Sequence, residues 1–266
     1  YTESHADVTA DATGSFSFLY TIDNIFRPIY TVIANAITGE ELARTTFLDP
    51  YTGGGNLDEF SQCSNDDGDG YTGTDVGCHW TNGDLNGSNS TYYEDDATVQ
   101  RLAIKDLTDG DHYAIIKYST TKGGKHSYDF MTDDDYSELT PNPLTPTDLC
   151  DPALDNLGTQ AQCAALPAVL SGLIPTDPNA AGHDVARANR HFKIRNGTWV
   201  GSGIAAGPTL LSGTYAGDSD TIIRVAFHVD TATCAFKYTK QGTDVCEVLI
   251  TWGAHVSSQA DCGIGN

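Results

Sequence analysis

The chain has 266 residues, 14 Lys+Arg against 36 Asp+Glu, a formal net charge of −22 and 39% hydrophobic residues. Only 19% of residues are charged, and 27 Gly and 13 Tyr accompany short apolar runs, so the polar bulk is Thr, Ser, Asn and Gly. That is the composition of an extracellular β protein rather than of a disordered acidic tail. It argues against nucleic acid as a partner, because phosphate would be repelled, and leaves cations as the natural counterpart.

In chain order, Phe16, Phe18, Tyr20 and Ile22 alternate with Ser17, Leu19, Thr21 and Asp23, the period-two pattern of a half-buried strand that Arg27-Pro28 ends. Ile29–Ile37 and Ala43–Leu48 predict two further strands about the turn Thr38-Gly39-Glu40-Glu41. About three strands and no helix in residues 1–49 do not close a sandwich, for which about seven are needed. Asp49–Asn89 is dominated by Gly, Asn, Asp and Ser around Trp80 and reads as a long functional loop. Val99–Ile104 and Tyr113–Tyr118 predict a hairpin with Asp109-Gly110 at its turn, and Ser127–Met131 another strand. Seven prolines in residues 140–185 describe an excursion outside any sheet, with one short helix expected over Thr159–Leu173. Strands resume at Phe192–Ile194, Trp199–Ile204, Thr221–Val229, Cys234–Tyr238 and Val245–Trp252. The predicted architecture is an all-β antiparallel sandwich, jelly-roll or immunoglobulin-like, over residues 50–266, preceded by a strand-rich segment over 1–49.

No run reaches 18 apolar residues, so no membrane insertion is expected. The chain begins at Tyr1 and its single Met is Met131, which suggests a processed N-terminus and export. Seven cysteines form three neighbouring pairs, Cys63 with Cys78, Cys150 with Cys163 and Cys234 with Cys246, leaving Cys262 either buried or bonded to another chain. None has the Cys-x-x-Cys spacing of a zinc knuckle or thioredoxin site, so disulfides of an oxidising compartment are expected.

The sharpest chemical signal is Asn65-Asp66-Asp67-Gly68-Asp69-Gly70-Tyr71 between Cys63 and Cys78. Asn65, Asp67 and Asp69 fall at positions 1, 3 and 5 of a calcium loop, with Gly70 at 6 and the Tyr71 carbonyl at 7. The bidentate Glu of position 12 is missing, since Val76 stands there, with Asp75 beside it. Hard oxygen ligands on a turn suit Ca2+ rather than zinc or iron. A second acidic knot, Glu94-Asp95-Asp96, and a third, Asp133-Asp134-Asp135, must either spread into water or share a cation. Sequons at Asn86, Asn89 and Asn196 are candidate glycosylation sites, a weak signal in an Asn/Thr-rich chain. No nucleophile elbow, His-Glu-x-x-His or phosphate loop is present. His126 and His255 are the most pattern-like of eight histidines, and each reads as a hydrogen-bonded structural residue.

Four stretches in order, Trp80-Thr81-Asn82-Gly83, Tyr92-Tyr93-Glu94-Asp95-Asp96, Gly123-Gly124-Lys125-His126 and Trp252-Gly253-Ala254-His255, resemble a pattern in secreted bacterial and archaeal surface proteins of uncharacterised activity. Asp95 stands where Gly is usual there, and Ala254 replaces a Gly. The N-terminal part resembles the back half of an immunoglobulin-like repeat. The resemblance implies a secreted β-sandwich surface protein and carries no reaction. A strand-rich segment with apolar faces has to pack on its own chain or add its strands to a neighbouring copy. The leading expectation is therefore a non-enzymatic, Ca2+-stabilised subunit of a surface filament, with copies of itself as partners. The alternative is a calcium-dependent carbohydrate-binding module or adhesin using Trp80, Tyr92 and Tyr93 on a glycan. A secreted glycan-processing enzyme with paired carboxylates ranks third.

Overall fold

The computed structural model describes residues 30–35, 41–47, 55–65, 78–134, 145–151, 153–175, 177, 190–201 and 207–262. The strand expected over 16–22 and the loop bearing Asp67, Asp69, Tyr71 and Asp75 lie outside them. The chain divides into two compact units, Tyr1–Thr52 and Gly53–Asn266. In the first, β1 (Tyr30–Asn35) and β2 (Glu41–Phe47) pair antiparallel as a two-stranded sheet, in register from Tyr30↔Phe47 to Ala34↔Ala43.

The second unit is all-β, built on two antiparallel sheets. Its larger sheet has the order β4 (His79–Thr81), β3 (Asn56–Ser64), β5 (Ala97–Leu107), β15 (Thr243–Val256), β10 (His191–Arg195), β9 (Val169–Leu173). Two more strands, β8 (Tyr128–Thr132) and β14 (Tyr238–Lys240), also pair with β15. The smaller sheet runs β11 (Thr198–Trp199), β13 (Ser219–Val229), β6 (Gly110–Lys122), β7 (Lys125–His126), with β12 (Thr209–Ser212) on β13. Three single turns of helix complete the unit: α1 (Pro146–Leu149), α2 (Gln160–Ala164) and α3 (Gln259–Cys262).

Period two explains the core. On β13 buried and half-buried residues alternate strictly, and Ile223, Val225, Phe227 and Val229 meet Val248, Ile250, Trp252 and Ala254 of β15 between the sheets. β15 is different, because it is buried continuously from Val245 to His255. Its even positions face the inter-sheet core, and its odd positions lie under a second cover, where Leu249 and Ala103 pack on Leu154, Leu157 and the Cys150–Cys163 bridge. A strand covered on both faces loses the alternation, and the odd face of β15 buries Glu247, Thr251 and His255 beside Leu249. Gly253 belongs to that crowded face: a Cβ there would come within 2.6 Å of the Asp133 carbonyl oxygen.

Several expectations are corrected here. The predicted hairpin of β5 and β6 does not form, because the two strands lie in different sheets and the chain crosses between them at Thr108-Asp109. Backbone reversal is concentrated at Asp106 (φ 63°) and Gly110 (φ 125°). The region read as loop over 49–89 contains the nine-residue strand β3, and the proline-rich excursion contains β9, paired on β10. Of the helix expected over 159–173, only Gln160–Ala164 is helical, with Thr159 closing a capping box to Gln162. Cys234–Tyr238 is mostly turn, with the strand beginning at Tyr238. All three expected disulfides are present, Cys63–Cys78, Cys150–Cys163 and Cys234–Cys246.

Candidate functional site

Three of the four motif stretches meet at the C-terminal end of β15. The Asp95 N–H donates to the Val256 carbonyl (3.0 Å) and the Val256 N–H to the Asp96 carbonyl (2.8 Å), so the acidic turn is stitched to the strand that carries His255. Ser257 N–H donates to the Ser127 carbonyl at 2.9 Å, bringing in the residues beside His126. His255 stacks on Phe130 (centroids 4.3 Å apart), and its Nδ1 lies 2.8 Å from Asp129 Oδ1, with both side chains buried. Burial pushes the Asp129 carboxyl up, against the opposing pull of His255.

Next to this pair is a second. His126 Nδ1 is 3.2 Å from Oδ2 of the fully buried Asp177, and the Asp177 N–H donates to the Asp129 carbonyl at 2.9 Å. Cys262, the cysteine outside the three disulfides, reaches the same place on α3. Glu94 accepts from Gln259 N at the start of that turn (3.1 Å), and the Cys262 N–H donates to the Ser258 carbonyl (3.0 Å). Among the described residues, His126, Asp177 and Cys262 form the group of three ligand-type side chains whose donor atoms all lie within 4.8 Å of one another. Arg190 flanks the site, its guanidinium donating to the Ile174 carbonyl and lying over the Phe130 ring.

The predicted site residues fare unevenly. Asn65 is buried with its side chain turned to Thr91, where Oδ1 accepts from Thr91 N (2.8 Å) and Nδ2 donates to the Thr91 carbonyl (3.1 Å). The other loop residues, Asp67, Asp69, Tyr71 and Asp75, lie outside the described residues. Glu94, Asp95 and Asp96 form a turn whose carboxylates take backbone donors, Asp96 from Tyr93 N at 2.8 Å and Glu94 from Gln259 N. Asp95 has φ 72°, the left-handed region that glycine occupies freely. Of the third knot, Asp133 and Asp134 turn inward on Lys193, whose Nζ is 2.5 Å from Asp134 and 3.9 Å from Asp133, so the cation they share is an ammonium. Asn86 and Asn89 sit on a turn at 86–90 and bond to each other and to Asp84. Asn196 faces inward, between the Glu247 carbonyl and Ala235 N.

Sequence reasoning missed Asp177 and Cys262. One lies in the proline-rich stretch and the other reads in sequence as a seventh cysteine outside the three pairs, and neither has a local spacing to His126. No family model, curated protein or solved structure matches the chain.

Proposed function

We propose that the protein is a structural subunit of an extracellular filament, a disulfide-braced β-sandwich that assembles by β-strand addition from its N-terminal unit and is stabilised by Ca2+. The observation that carries this reading is the antiparallel pairing of β1 and β2, the two-stranded sheet that the described residues of the first unit form. A lone two-stranded hairpin is marginal in water, so its strands gain by adding to a sheet edge of another copy. Such a head-to-tail contact gives an open fibre when the rotation does not close.

Three disulfides support an oxidising compartment, and no helix among the described residues is long and apolar enough to cross a membrane. Subunits at −22 each repel one another, and divalent ions relieve that repulsion. The acidic stretch Asp66–Asp75 is the Ca2+ site of this reading, and Asn65, whose amide is bonded to Thr91, does not serve as its first ligand.

The glycan-binding alternative needs exposed aromatic faces. The Trp80 ring carries the Arg101 guanidinium 4.3 Å from its centroid, and Tyr92 donates its hydroxyl to the Cys63 carbonyl at 2.9 Å. That leaves Tyr93, 57% exposed, as the open ring of the three. Electron microscopy of purified native protein with Ca2+ and with excess chelator tests the filament reading. Filaments that shorten or disperse on chelation support it, whereas particles that remain monomeric at high concentration with Ca2+ refute it.

A further inference from the structure

His126, Asp177 and Cys262 come from three separate parts of the chain and converge as one nitrogen, one oxygen and one sulfur within 4.8 Å of each other. Two chemistries use such a set. In a thiol–imidazole–carboxylate relay, sulfur and carboxylate sit on opposite ring nitrogens, which places them roughly 7 Å apart. The triangle here is too compact for that. Around a tetrahedral ion with bonds of about 2.0–2.3 Å, neighbouring ligand atoms are roughly 3.3–3.7 Å apart, and the 3.2 Å between His126 Nδ1 and Asp177 Oδ2 already has that scale.

We propose that His126, Asp177 and Cys262 are a three-ligand binding site for a borderline divalent cation of the zinc class, which fastens the C-terminal turn α3 to the β7–β8 edge of the sandwich. The donor set excludes Ca2+ as the preferred occupant, since that ion takes six to eight oxygens and a thiolate is a poor ligand for it. Asp177 is fully buried and held by its backbone bond to the Asp129 carbonyl, while His126 and Cys262 are half-buried, so the ion enters from the solvent side onto a fixed carboxylate. The His255–Asp129 pair stands behind it and fixes the backbone that holds Asp177, a supporting shell of the kind that orients metal ligands. Binding converts the Cys262 thiol to a metal thiolate and releases its proton to solvent, with no change of oxidation state. With three protein ligands, one coordination position stays open.

The test uses the full chain, stripped of metal and with Cys262 kept reduced. Co2+ added to it gives a thiolate-to-metal charge-transfer band in the near ultraviolet at one equivalent, and Zn2+ displaces it. Cys262→Ser loses that band, Asp177→Asn weakens binding by more than the roughly ten- to hundredfold typical of losing an outer-shell partner, and His228→Ala, on an exposed His–Asp pair, leaves both unchanged. Because Asp177→Asn could disturb folding, protection of wild-type Cys262 from alkylation by one equivalent of Zn2+ provides a variant-free readout. Uptake of Co2+ without the charge-transfer band, alkylation of Cys262 unaffected by Zn2+, or Cys262 recovered from native material in a disulfide between chains overturns the proposal. None of these outcomes depends on filament formation or on Ca2+, so this site and the filament reading stand or fall separately.

Discussion

Arg101 Nη2 lies 2.6 Å from Glu59 Oε1, and the guanidinium is completely buried while Glu59 keeps 28% of its side-chain exposure. The same guanidinium donates to the Leu149 and Asp151 carbonyls at 3.1 and 2.9 Å and covers the Trp80 ring. One side chain on β5 thus binds β3, β4 and the segment that roofs the outer face of the large sheet. Planar multidentate donation of this kind is peculiar to Arg. Arg101→Met removes the cation and leaves Glu59 and the buried Leu149 carbonyl without their donor, so a loss of about 3 kcal/mol is expected. Arg101→Lys should recover less than half of that. Urea unfolding of the three proteins measures both, and a Lys variant as stable as wild type would show that charge alone suffices.

The roof itself is stapled by Cys150–Cys163, a 13-residue separation whose sulfurs pack against Leu154, Leu157 and Leu249. Closing a loop of that length stabilises by about 3 kcal/mol. Cys150→Ala with Cys163→Ala should lower the free energy of unfolding by that amount and raise hydrogen exchange first at Leu249 and its neighbours on β15. Exchange that rises uniformly over both sheets would mean that the roof and the sandwich form one cooperative unit.

What the sequence made legible follows from where burial obeys simple periodicity. β13 alternates, so its expected span Thr221–Val229 nearly matches Ser219–Val229, and the three disulfides join nearest neighbours, as loop closure favours. The pattern of β3 reads as loop because its inward residues include Glu59 and Ser61, polar groups that serve Arg101 and carry no hydrophobic signal. The β5–β6 hairpin failed for another reason: Asp109-Gly110 does mark a reversal, but turn chemistry cannot say whether two strands share a sheet or cross between two. His126 and His255 stood out by pattern, whereas their partners Asp177 and Asp129 are set by tertiary convergence, which one-dimensional spacing does not encode.

In the N-terminal unit, Val32↔Thr45 lies in the middle of the β1–β2 ladder. Thr45→Pro removes a backbone donor that either the β1–β2 ladder or a strand added to its open edge would use. If strand addition drives assembly, this variant should abolish filaments seen by electron microscopy while the second unit unfolds at an unchanged urea midpoint. Normal filaments from Thr45→Pro would remove the hairpin from the assembly mechanism.

Glu247 is fully buried on β15, its Oε2 accepting from Asn156 N (2.8 Å) and Nδ2 (3.0 Å). Burial, reinforced by the nearby Asp58 carboxylate and opposed by the Asn156 donors, pushes its carboxyl up to about 7 from 4.5. Between those two values the folded protein holds a proton that the unfolded chain has lost, so the folded state binds more protons and stability falls as pH rises. The fall should begin near pH 4.5, level off above about 7 and amount to something on the order of 2–3 kcal/mol from this group. Glu247→Gln keeps an oxygen for Asn156 and cannot ionise, so it should match wild type near pH 4.5 and exceed it at pH 8. Unfolding midpoints of the two proteins across that range decide the matter: parallel curves would place the ionised carboxylate comfortably inside the fold, with Asn156 satisfying its charge.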